Sequence, residues 1–417
     1  MHFAHSKTGP DPITASRQDT VRANVGPLPR GPVFGWLSLR GRHDDGVPNV
    51  GQLAHGVLTT SGRAAIFHAL KLLQLSPRRG VLLPTYHCPT MVAPALLAGL
   101  QPVFYALGED GLPDIAALER GPYAQAGAML VPHLFGRTQS LAAVRRWCDA
   151  HGIALIEDCA HALFGQAGER PVGAWGNFAT ASLSKFLPVP EGGLLASATR
   201  PMPALLLRPR HWRDEIKGWV DVAEAGAQHR RLLGLNGVLG SAFRAKHALR
   251  GTQWPCLPSP IVEASRATNA EQMMSDCDMA RVNDIPLAVT RWMRKHLPLD
   301  HVVTRRRVNF GTYARCLDGV RGARLLPGAD GAGWPEAVAP YVFPLWVDNV
   351  DTVYARVRQL RLPVFRWDRL WPGTPQLPGD VGMRWSHHVL QLLCHQDLSR
   401  ADVEHVSHNI RQLLAGH

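Results

Sequence analysis

Lysine is scarce in this 417-residue chain. Only Lys7, Lys71, Lys185, Lys217, Lys246 and Lys295 occur, so arginine carries nearly all of a formal net charge of +12. The arginines are scattered, with Arg305-Arg306-Arg307 the densest run. Zinc-finger spacing and basic arms with interleaved aromatics are both lacking. Nucleic acid is therefore not an expected partner, and the charge reads as a surface bias or as attraction for an anionic substrate such as a nucleotide-linked sugar. Cysteine is also sparse and badly placed for bridging. The seven residues are odd in number, widely spaced and form no CxxC, which points to reduced thiols in the cytoplasm. No HExxH and no carboxylate cluster occurs, so no metal is assigned. Long apolar runs are missing too. The most apolar stretch, Met91 to Leu107, is broken by Pro94, Gly99, Gln101 and Pro102, so no membrane span is expected. The N-terminal residues have no apolar core of the kind a signal peptide needs.

What is present is an ordinary globular balance, 46% hydrophobic and 19% charged. The length suits one large domain with a smaller one. Residues 1–50, rich in Pro, Gly, Arg and Asp, read as an extended lead-in or arm. From about 56, short apolar runs alternate with helical stretches. Ser61-Gly62-Arg63 opens a helix, VLLP (81–84) is a strand, PTMVAPALLAGL a helix and QPVFYAL a strand. LAAVRRWCDAHG is a helix, followed by the strand IALIED (153–158) and, later, the strand GGLLAS (192–197). Such alternation predicts an α/β fold, a mostly parallel sheet layered between helices. This large domain is expected over 51–300. Residues 200–300 read as mostly helical with a Pro-rich break at 254–262, and a smaller α+β domain is expected over 301–417.

Three features carry chemistry. Asp158 ends an apolar strand, where ligands of open α/β sheets sit. A carboxylate there can face the cationic ring nitrogen of pyridoxal 5′-phosphate and keep it protonated, although an Asp in that place is also a common helix N-cap. Lys185, in SLSKFLPVPEGGLLAS, is the only lysine between Lys71 and Lys217. Its neighbours Leu183, Phe186 and Leu187 are apolar, which suits an amine held at a cofactor and able to shed its proton; a surface loop lysine is the competing reading. Ser61-Gly62-Arg63 at a helix start is a potential phosphate site, because free N–H groups and the helix dipole meet there, or else a simple cap.

In order, these motifs run helix-opening Ser-Gly, then Pro84-Thr85-Tyr86-His87-Cys88 after a strand, then Asp158-x-x-His161, then Thr180, Lys185 and Glu191-Gly192-Gly193. The whole resembles the DegT/DnrJ/StrS family of pyridoxal-phosphate aminotransferases, within the fold type I superfamily. The likeness runs from about 56 to 200 and resumes faintly from 305–317 to 389–410. It implies a three-layer α/β/α cofactor-binding domain and a homodimer with the active site at the interface. It implies that Lys185 bears the cofactor, that Asp158 faces the ring nitrogen and that His161 lies near the cofactor's 3′-oxygen. Thr180 and Ser61, Gly62 and Arg63 would contact the phosphate, with Arg63 in place of the usual Thr. Strict spacing puts Cys88 where the family has an aromatic ring over the cofactor, so Tyr86 or His87 would have to supply that ring. Phe186 stands where Asn is often found, and Pro190 where Gly is. His133 and Arg137, in VPHLFGR, match a further family segment.

The implied activity is transfer of an amino group from an amino acid, glutamate in the family, to a keto acceptor, in the family mostly a nucleotide-linked keto-sugar of polysaccharide or secondary-metabolite biosynthesis. Another pyridoxal-phosphate reaction on the same fold is the first alternative, since fold does not fix reaction. A binding or regulatory protein without turnover is the second.

Overall fold

A computed structural model describes residues 28–40, 47–76, 79–252, 269–329, 331 and 337–416. Most of the expected N-terminal arm and the Pro-rich break at 254–262 lie outside the described residues.

The four strands read from the sequence and three others assemble into a seven-stranded sheet. They are β1 (His55–Thr59), β2 (Gly80–Pro84), β3 (Gln101–Tyr105), β4 (Ala126–Pro132), β5 (Ala154–Asp158), β8 (Phe178–Ser182) and β9 (Gly193–Ser197). A two-stranded hairpin of β6 (Gln166–Ala167) and β7 (Arg170–Pro171) separates the last two from the first five. The order is β1-β9-β8-β5-β4-β2-β3. The β8-β5-β4-β2-β3 pairings are parallel, and β9 joins both β8 and β1 antiparallel. The central strands are buried on both faces, as β4 (AGAMLVP) shows along its whole length, which is why they are apolar without alternation. Helices supply the crossovers. Among them are α1 (Gly62–Leu72) and α2 (Pro89–Leu97), the latter opened by Pro89 at a position where its missing N–H costs nothing.

The later part of the chain forms a separate four-stranded antiparallel sheet, ordered β10-β11-β13-β12. Its strands are β10 (Ala323–Leu325), β11 (Val342–Val347), β12 (Val364–Arg366) and β13 (Val389–Leu393). Pro344 is tolerated within β11 because β10 pairs only with residues 345–347, leaving the proline's nitrogen side without a strand to bond. The helices Asp300–Leu317 and Arg400–Ala415 pack against this sheet and each other. The described part of 200–300 is mostly helical as expected, with Trp212–Gln228, Asn236–Leu249, Ala270–Asp276 and Ala288–His296. The architecture is the expected α/β one. None of the described helices is long and apolar enough to cross a membrane.

Candidate active site

The carboxyl ends of β5 and β8 and the start of α1 converge on a cavity of ≈ 420 Å³. Its wall includes Ser61, Gly62, Arg63, Cys88, Asp158, His161 and Lys185 from the first half of the chain. Asp278, Arg281, Tyr341, Trp367 and Gln391 come from the second.

Asp158 is buried at the last position of β5. Its Oδ1 accepts the Ala160 N–H at 2.9 Å and the Thr180 hydroxyl at 3.2 Å, while Oδ2 makes no hydrogen bond among the described residues. Burial pushes the carboxyl above its ordinary value, opposed by Lys185, by the two hydrogen bonds and by His133. Lys185 closes the short turn after β8, and its Nζ makes no hydrogen bond among the described residues, lying instead 5.1 Å from the Tyr341 ring. The amine is crowded by protein although the cavity leaves the residue half-buried. That crowding lowers its proton affinity, opposed by Asp158 and Cys88. His161 is buried and stacks on Tyr341 at 4.3 Å. Its Nδ1 accepts the Phe135 N–H at 3.3 Å, which assigns the ring proton to Nε2. Burial first, and Lys185 second, drive its proton affinity well below the ordinary value, so the ring is a neutral donor. Phe135 adopts a left-handed backbone (φ 62°) to aim that N–H, a strained conformation of the kind found at functional sites.

The anion end is built by close backbone approach. Ser61 caps α1, its Oγ accepting the Ala64 N–H, which leaves the first helical N–H groups without intrahelical partners. A Cβ on Gly193 would lie 2.2 Å from the Ser61 carbonyl, so glycine is required where β9 passes the turn. Glu191 anchors that passage by accepting the Leu287 N–H and pairing with Arg210 and Arg281. Arg63 does not stand free. Its guanidinium bonds the Asp278 carbonyl and carboxylate, and Arg281 bonds the same carboxylate.

These residues fit pyridoxal phosphate. The open Oδ2 of Asp158, the unbonded Lys185 amine, the Nε2 donor of His161 and the α1 N-terminus face one cavity, and each matches a different functional group of that molecule.

Three of the sequence expectations need correction. Tyr86 and His87 do not line the cavity. Tyr86 is wholly buried among Phe135, Trp367 and Trp385, its hydroxyl accepting from Gln391. His87 is locked between the Pro84 carbonyl and the Trp371 N–H and stacks on Phe104; burial drives its proton affinity down to about 4. The residue that reaches the cavity is Cys88, where strict spacing put it, and the aromatic walls come from Tyr341 and Trp367. Thr180 does not line the cavity either; it supports Asp158, and Ser182 and Ser184 take the wall beside Gly62.

His133 and Arg137 lie outside the cavity wall. Arg137 bonds the Pro327 carbonyl. His133 bonds the buried Glu157 at 2.9 Å, with Cys159 close by. The three could suggest a metal cluster, but Glu157 is saturated: it accepts from His133 and from the Gly173, Trp175 and Gly176 N–H groups. It fixes the loop between β7 and β8 behind Asp158. Glu157→Ala would leave those N–H groups buried and unpaired, and is expected to destabilise the fold by about 3–5 kcal/mol in urea denaturation.

The fold, a mostly parallel seven-stranded sheet beside a smaller antiparallel one, is that of solved fold type I aminotransferases. Residues 49–200 match the sequence model of the DegT/DnrJ/EryC1/StrS aminotransferase family. Among curated relatives, the GDP-perosamine synthase of Vibrio cholerae is 28% identical over 170 residues, covering 39% of this chain and 46% of that protein. An L-glutamine:2-deoxy-scyllo-inosose aminotransferase of Micromonospora echinospora is 32% identical over 226 residues, 52% of each. The chain thus spans about half the length of the curated relatives it matches. Solved structures extend the likeness in fold. An aminotransferase from Psychrobacter cryohalolentis superposes with a TM-score of 0.58 at 14% identity, covering 87% of both chains. The aminotransferase TlmJ from Streptoalloteichus hindustanus gives 0.56 at 20% identity, covering 87% of this chain and 86% of that one.

Proposed function

We propose that this chain is a pyridoxal-phosphate-dependent aminotransferase that moves an amino group from an amino acid, glutamate or glutamine, to a keto group on a sugar or cyclitol acceptor. The observation that carries the reading is the pairing, in one cavity, of the unbonded Lys185 amine with the open Oδ2 of buried Asp158. The relatives' names supply the substrate class: perosamine is an amino sugar, and the inosose enzymes use glutamine as donor. A carrier nucleotide on the acceptor is consistent with the chain's net charge of +12.

Each residue then has a task. The α1 N-terminus and Ser61, Gly62 and Arg63 bind the cofactor phosphate. Asp158 would place a negative charge at the ring nitrogen and keep it protonated. When bound, pyridoxal phosphate supplies the ring that draws electrons from the substrate's α-carbon. His161 donates from Nε2 and remains neutral, so it orients without competing for the proton. Lys185 would move the proton: its crowded amine, easily deprotonated, would take the hydrogen from the donor's α-carbon and deliver it to the cofactor's aldehyde carbon, a service worth ~10²–10⁴-fold in rate.

A homodimer is part of this reading. Trp212, Trp219, Leu233, Val238 and Leu249 lie exposed on the helices of 212–249 and beside them, apolar side chains of the kind an interface between copies covers. A cytoplasmic setting suits the six described cysteines, all free thiols. The test is spectroscopic. With pyridoxal phosphate the chain should show a visible absorption band that glutamate or glutamine removes and a keto-sugar acceptor restores. A band untouched by every amino donor would overturn the transaminase reading.

A further inference from the structure

Arg306 is wholly buried and has no salt bridge among the described residues. A buried cation without a direct ion pair is costly, and its acceptors show what it is used for. Nη2 donates to the Lys185 carbonyl at 2.6 Å, Nη1 to the Pro340 carbonyl at 3.1 Å and Nε to Gln396 Oε1 at 3.0 Å. Gln396 in turn donates to the Phe186 carbonyl at 2.7 Å, and the guanidinium lies 4.5 Å from the Phe186 ring. One planar group on the helix Asp300–Leu317 thus joins the backbone of the lysine turn to the backbone leading into Tyr341. Those two segments belong to different sheets, and their side chains meet across the cavity, Lys185 Nζ against the Tyr341 ring. Tyr341 also carries His161 on its other contact.

We propose that Arg306 is a positioning residue that fixes the Lys185 amine relative to the Tyr341–His161 wall, with Gln396 and the Phe186 ring completing the clamp. The inference rests on the cofactor-bearing role proposed for Lys185. It also accounts for Phe186, which stands where the related sequences often have Asn: its ring faces a cation that has no salt bridge among the described residues. A fork with separate nitrogens can hold two carbonyls at a fixed spacing; a lysine ammonium, a single point on a flexible stem, cannot.

The test compares Arg306→Lys, which keeps the charge and loses the fork, with Tyr313→Phe. The latter removes a hydrogen bond to the Leu393 carbonyl from the same helix without touching the lysine turn. Each chain is loaded with pyridoxal phosphate. Three quantities are read: the affinity for the cofactor, the pH midpoint of the visible band, and the fraction of Lys185 labelled after borohydride reduction and peptide mapping. Arg306→Lys is expected to weaken cofactor retention by about tenfold or more and to move the pH midpoint. Tyr313→Phe is expected to lower the melting temperature and leave all three readouts at wild-type values. Gln396→Ala, which cuts only the parallel tie at Phe186, should weaken retention by about threefold, and decides the matter if Arg306→Lys does not fold. Wild-type readouts in folded Arg306→Lys, an unchanged Gln396→Ala where Arg306→Lys fails to fold, or an equal loss in Tyr313→Phe would each overturn the proposal. An unlabelled Lys185 in the wild-type chain would remove the functional reading itself, and this inference with it.

Discussion

Lys185→Ala is expected to yield a folded chain that retains the cavity and loses the reaction. The side chain makes no hydrogen bond that the fold depends on, and its turn is held by main-chain contacts from Arg306 and by the Phe186 N–H to Leu183 carbonyl bond. On the proposed reading, loss of the amine removes both the attachment point of the cofactor and the group that moves the α-proton. Turnover should fall by at least ~10²–10⁴-fold, the range a positioned acid–base group supplies. Pyridoxal phosphate should still bind weakly through the α1 N-terminus, without the band that its bond to a lysine gives. An added small amine restoring part of the rate would show that proton transfer is what was lost. Steady-state kinetics with glutamate, beside a thermal melt, check this. A variant with wild-type turnover would end the assignment of Lys185.

Asp158→Asn is expected to separate activity from stability. The amide keeps the shape and an oxygen for the Ala160 N–H, yet it places no charge at the ring nitrogen. Loss of one preorganised electrostatic partner costs about 10²–10³-fold in rate. Stability should move the other way. The folded-state affinity of Asp158 for its proton is raised by burial. Its contribution to stability is therefore full below the ordinary carboxylate range and is lost as pH rises through the raised value. At neutral pH the cofactor-free Asp158→Asn chain should be at least as stable as wild type, the usual trade at a strained site. Single-turnover rates and urea midpoints of the two chains test both halves. A variant that is both fully active and less stable would mean that Asp158 is merely a cap.

The sheet was legible because its strands are short apolar runs punctuated by helices, and burial on both faces leaves little else that VLLP or IALIED could become. Asp158, His161 and Lys185 were legible for a related reason: they sit at strand ends or just beyond them, where order along the chain maps directly onto one edge of the sheet. The other wall was not. Tyr341, Trp367, Gln391, Asp278 and Arg281 reach the cavity through tertiary packing of segments whose own patterns say only strand, loop or helix. Tyr86 and His87 show the limit of choosing by residue type. Both are aromatic and neighbour the right position, but the backbone at the end of β2 turns them into the core and gives the cavity to Cys88. Thr180 shows the same limit along a strand, since its hydroxyl faces Asp158. Arg306 carried no signal beyond its place in a run of three arginines, because the acceptors that define it lie in segments far along the chain.

The central claim is that Lys185 bears the cofactor. It is tested most directly by loading the purified chain with pyridoxal phosphate, reducing with borohydride and mapping the labelled peptide by mass spectrometry. The predicted result is one phosphopyridoxyl group, on Lys185, whose formation is prevented when glutamate is added before the reductant. Label on another of the chain's six lysines, or none at all beside an unchanged visible spectrum, would contradict it.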